Sequence, residues 1–144
     1  MEHNFDVMNW KSAEERYKEA GKWLTELNFV CDEQQFLTNL LGEYFIKLSS
    51  HDHFPLAKQL VAKLTKCKKN CSELLESVGN HKNSLYVLLD QVEQPYEERE
   101  VKATHNELTV KTNTFFHEFK ELKKNVYFTV MAIMKHDKEQ RLLS

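Results

Sequence analysis

The chain has 144 residues, 41% of them hydrophobic and 29% charged, with three Gly, two Pro and a net charge of -2. Near-neutral charge argues against bulk electrostatic capture of nucleic acid, and no apolar run approaches the roughly 18 residues that a membrane span needs. So few Gly and Pro leave little material for loops or β-turns, which favours long helices in one domain spanning 1–144. Met1 to Trp10 carries Glu2 and Asp6 and has neither a basic start nor an apolar core, so no secretory leader is expected. Three reduced thiols in a cytoplasmic protein are the corresponding expectation for Cys31, Cys67 and Cys71.

The first helix is predicted over about 12–49. Ser12 and Glu15 have capping-box spacing. Its apolar positions run Ala13, Tyr17, Ala20, Leu24, Leu27 and Cys31, then shift to Leu37, Leu41, Tyr44 and Leu48. Gln34 and Thr38 interrupt that seam. A polar turn from Ser49 to Phe54 follows, and Pro55 suits the first position of the next helix.

The second helix, about 55–93, carries the clearest pattern in the chain. Ala57, Leu60, Leu64, Cys67, Cys71, Leu74, Val78, His81, Leu85, Leu88 and Val92 repeat a 3-4 spacing without a break. Roughly five heptads in phase read as a narrow, coiled-coil-like seam. Gly79-Asn80 is the one weak point, and a break there would turn the layout into a four-helix bundle. Val78 and His81 keep phase across it, which favours one continuous helix.

The third helix, about 96–140, opens after the turn at Glu93–Pro95. Glu97 and Glu98 complement the positive end of its dipole. Val101, His105, Leu108, Thr112, Phe115, Phe119, Leu122, Val126, Thr129 and Ile133 repeat the same spacing. Two short connections make successive helices antiparallel, so the predicted fold is all-α: an elongated up-down-up bundle of three long helices. Helices of about 35–45 residues would give a length of roughly 55–65 Å.

Antiparallel hairpins bring particular side chains to one height. Cys31 falls opposite residue 73, beside Cys71 and about a turn from Cys67; the favoured reading is three small buried apolar residues, and a soft-metal site is the alternative. His81 and His105 form a second polar level, near Trp23 and Glu26. The favoured reading is two satisfied core histidines that set register; two imidazoles with a carboxylate could instead suit a transition metal or a pH-sensitive layer. No Glu-x-x-His pair, phosphate loop or nucleophile elbow occurs, so no catalytic residue and no cofactor is assigned.

Two surfaces stand out. The end near the first turn is crowded with apolar residues, among them Ile46 and Phe128, and Val130 to Met134 is apolar almost all the way round its helix. A helix apolar on every side is buried on more than one side. Phe45, Tyr127, Val130, Met131 and Met134 are therefore the expected interface for a partner helix or a second copy. The other surface is basic: Lys63, Lys66 and Lys69 are level with Lys120, Lys123 and Lys124, a candidate site for an acidic ligand. The function these features favour is a non-enzymatic intracellular interaction or scaffold protein that forms a homodimer, with no role at membranes or on nucleic acid. Metal- or thiol-dependent chemistry and anion binding are the alternatives.

Overall fold

The computed structural model describes residues 12–50, 52–89 and 95–143. Three helices account for nearly all of them: α1 (Ala13–Leu48), α2 (Phe54–Leu89) and α3 (Pro95–Leu143). The helices pack against one another, and among the described residues there is no strand. Residues 1–11 and most of the second turn, on which the leader and turn expectations rest, lie outside the described residues.

Local chemistry sets the ends. Ser12 Oγ accepts a hydrogen bond from the Glu15 amide at 3.1 Å, satisfying a donor that the first helical turn leaves over. His53 offers its carbonyl to the Ala57 amide at 2.9 Å, so α2 begins at the Phe54-Pro55 step. Proline is tolerated there because its missing N–H has no intrahelical acceptor in a first turn. No described helix is long and apolar enough to cross a membrane.

The chain divides into two compact units, the first from residues 1–28 and 73–114, the second from 29–72 and 115–144. In the first unit Ala20, Trp23 and Leu27 of α1 are buried with Val78 and Leu85 of α2 and Leu108 of α3. In the second, Leu37 and Leu41 are buried with Leu60 and Leu64 of α2 and with Phe119, Val126 and Ile133 of α3. Over the described residues the α2 and α3 seams are therefore the ones read from the sequence; Val92, the last position of the α2 pattern, lies outside them.

The α1 seam differs. Trp23 and Val30 are buried in place of Leu24 and Cys31, which are only half covered, and Gln34 continues the 3-4 spacing instead of interrupting it. Burying an amide is tolerable where its hydrogen bonds are met. Gln34 Nε2 donates to the Leu64 carbonyl at 3.3 Å and to Thr38 Oγ1 at 2.9 Å.

Helix α2 runs unbroken through Gly79-Asn80, so the four-helix alternative does not arise. Gly79 has no positive φ, and a Cβ placed on it would meet nothing within 4 Å. Glycine there contributes only unfolded-state freedom. Gly79→Ala is expected to raise stability by about 0.5–1 kcal/mol. A denaturation midpoint that fell would show that the helix needs glycine's flexibility at this step.

Candidate functional site

The first unit contains a polar layer drawn from all three helices. His105 and His81 are 1% and 4% exposed. His81 Nε2 lies 2.8 Å from His105 Nδ1, and His105 Nε2 lies 2.7 Å from Glu19 Oε1. Trp23 stacks on the His105 ring with centroids 4.7 Å apart. A carboxylate can only accept, so His105 carries its proton on Nε2. His81 Nε2 and His105 Nδ1 share a single hydrogen bond that joins the two rings.

The layer is electrostatically one-sided for His81. Burial, then the neighbouring His105 and the Arg16 guanidinium, push its pKa down to about 4, so the ring is neutral at pH 7. His81 also lines a cavity of about 300 Å³ with Ser77, Asn80, Ser84, Glu100, Val101 and Thr104. The carboxylate that completes the layer is Glu19, whereas Glu26 is exposed two turns further along α1. Trp23 lies where the hairpin geometry places it.

The cysteines belong to the second unit. Cys31 and Cys71 form a disulfide between α1 and α2, with a Cα–Cα distance of 6.4 Å. The expectation of three reduced thiols is thereby corrected. Facing helices bring the two Cα atoms within bridging range, which outweighs any inference drawn from an odd cysteine count. Cys67 remains a buried free thiol. Burial, then Glu118, raises its pKa to about 11, so it stays protonated and acts as a small apolar side chain.

The five candidate metal ligands are thus split, His81 and His105 in one unit and Cys31, Cys67 and Cys71 in the other. Among the described residues, no group of three or more His, Cys, Asp or Glu side chains is placed to hold a metal.

The lysine face is partly neutralised. Lys123 Nζ pairs with Glu33 at 3.0 Å and lies 5.8 Å from the centre of the Phe119 ring. Lys124 pairs with Glu121 at 3.6 Å. Lys69 and Lys120 are exposed. Lys63 and Lys66 line a cleft of about 360 Å³ between α2 and α3, but Glu118 and Glu121 line it too. An anion entering there meets both signs.

The apolar surface is sharper than the sequence suggests. Met131 is 65% exposed, and Met134, Tyr127 and Phe45 also face solvent. Val130 does not. It is 3% exposed and fills the core, because its position on α3 falls on the inward seam while Met131 turns away from it. Ile46 and Phe128, at 85% and 64% exposed, join the surface. Their signal is present in the sequence as part of an apolar run, but only packing reveals which members point outward. No protein-family model, curated protein or solved structure matches this chain.

Proposed function

We propose that the protein is a non-catalytic helical interaction module that associates with a second copy through the exposed apolar stripe of its second unit. The observation that carries this reading is the position of Tyr127, Met131 and Met134. They are spaced i, i+4, i+7 and exposed, while Val126, Val130 and Ile133 of the same helical segment are buried. Helix α3 therefore has two apolar seams, and its own bundle covers only one. A 3-4 stripe is the pattern by which one helix packs on another, and a two-fold contact lets the stripe meet its own copy. Large exposed apolar groups on one face mark interaction surfaces, and methionine adapts readily to a facing surface.

The compartment that suits such a module is an oxidising one, where disulfides such as Cys31–Cys71 form.

Sedimentation across micromolar concentrations tests the association. The unsubstituted chain is expected to self-associate over that range, and Met131→Glu is expected to weaken the association about tenfold or more, the effect of a charge in an apolar contact. Met131 is exposed, so helicity should not change. An unsubstituted chain that stays monomeric throughout would remove the proposal.

A further inference from the structure

The three grooves between helices of the second unit are closed unequally. The α1–α2 groove is fastened by the Cys31–Cys71 disulfide and the hydrogen bond from Gln34 to the Leu64 carbonyl. The α1–α3 groove is crossed by two ion pairs, Lys123–Glu33 at 3.0 Å and Lys47–Asp137 at 2.9 Å. The α2–α3 groove holds the 360 Å³ cleft instead. Its α2 wall is positive, with Lys63 and Lys66, and its α3 wall is negative, with Glu118 and Glu121. Phe119 and Leu122 lie at its floor, nearly buried. Among the described residues no ion pair joins the two walls; Lys63, Lys66 and Glu118 have none at all, and Glu121 pairs along its own helix with Lys124.

Opposite charges that face a shared cleft without meeting are matched by an occupant that brings both signs. From this we infer that the α2–α3 cleft is a contact between two copies of the chain, related by a two-fold axis parallel to the helices. Such an axis leaves heights unchanged and exchanges left for right. It lays the α2 wall of one copy against the α3 wall of the other, so Lys63 and Lys66 meet Glu118 and Glu121 of the second copy, and the same pairing recurs on the other side of the axis. The apolar floors then face each other and shed water. Complementary walls of this kind select partner and orientation, as flanking charges do in paired helices. This contact uses residues other than the Tyr127–Met131–Met134 stripe and stands independently of it. With both contacts available, copies associate beyond a simple pair.

The test is charge exchange in a Met131→Glu background, which silences the apolar stripe. One variant carries Lys63→Glu and Lys66→Glu, making both walls negative; the other carries Glu118→Lys and Glu121→Lys, making both positive. All four positions are exposed, so both variants should keep the helical signal of the background protein. The background protein is expected to dimerise, more weakly as salt rises. Each variant alone should lose at least about tenfold in self-association, and a 1:1 mixture should form a heterodimer at or above the background affinity. A background protein that is monomeric to about 100 μM, the concentration at which only contacts weaker than ordinary weak complexes remain unseen, would overturn the inference. So would variants that associate as well as the background, or a mixture that stays monomeric. A fixed mass with no salt dependence would assign the association to another surface. Should a variant fail to fold, the salt titration of the background protein still decides. None of these results touches the apolar stripe, which is read from the protein with Met131 intact.

Discussion

Cys71→Ala, or full reduction of the Cys31–Cys71 bond, is expected to destabilise the protein by about 4 kcal/mol. The two cysteines are 40 residues apart. In the chain-entropy description, opening a loop of that size returns roughly 13 cal/mol/K to the unfolded ensemble, or about 4 kcal/mol at 25 °C. Cys71 is fully buried, and replacing it with alanine removes one sulfur from a packed layer without adding a polar group that needs a partner. Alanine is therefore the cleaner probe than serine. Chemical denaturation with and without reductant is the measurement. Reductant should lower the midpoint of the unsubstituted chain and leave that of Cys71→Ala almost unchanged. Cys31→Ala should match Cys71→Ala, and the double variant should cost little more than either, because all three lose the same bond. Equal midpoints for oxidised and reduced protein would show that the disulfide adds no stability.

The second large effect is a loss of stability in mild acid. In the unfolded chain His81 titrates near its ordinary value of 6.5, and in the folded chain near 4. Between those values the unfolded state binds the extra proton, so stability rises with pH over that interval. The contribution is fully present above pH 6.5 and is lost as pH falls through about 4. Each tenfold difference in proton affinity between the two states corresponds to about 1.36 kcal/mol, so the loss is on the order of 3 kcal/mol. Its structural cause is that a proton on His81 adds positive charge beside Arg16 in a nearly dry layer whose carboxylate, Glu19, is already bound to His105. His81→Asn should flatten the stability profile between pH 6.5 and 4 while lowering stability at pH 7, since the buried hydrogen bond to His105 Nδ1 is lost. A profile of the same slope with and without His81 would place the acid sensitivity elsewhere.

These two effects arise from levels of the bundle that are legible in the sequence to different degrees. Helix phase and hairpin height put His81 and His105 together and Trp23 beside them. The same heights point to Glu26 as the carboxylate, two turns of α1 from the Glu19 that the structure uses, because Glu19 and Glu26 both flank Trp23 on the same side of the helix. Hairpin height also puts the cysteines at one level, yet it does not reveal their chemistry. Periodicity alone places Cys31 on the α1 seam, whereas the seam runs through Val30 and Gln34. That small rotation turns Cys31 toward α2 and its partner thiol.

Rotation decides the apolar end of α3 as well. A run from Val130 to Met134 announces that more than one side of the helix is apolar, and the unmet demand for cover follows from that alone. Which residue goes where depends on about 100° of rotation per position. Val130 faces the core and Met131 the solvent, although composition treats them alike. The lysines show the converse. Charge counts along each helix suggest a basic face, but Glu33, Glu118 and Glu121 reach it from neighbouring positions and divide it into paired residues and an open cleft.

What can be read from the amino acids is whatever is local and periodic. Ser12 and Pro55 mark helix starts, the scarcity of glycine and proline favours long helices, and the 3-4 spacing from Ala57 and from Val101 marks two inward faces. Those features depend only on a helix and its own neighbours in sequence. The pairing of Cys31 with Cys71, the choice of Glu19, the burial of Gln34 and the outward turn of Met131 are decided by tertiary structure. Each depends on how far one helix is rotated and slid against another, and many such settings bury nearly the same apolar area. The choice among them falls to side-chain packing and to the matching of buried polar groups, which no single helix contains.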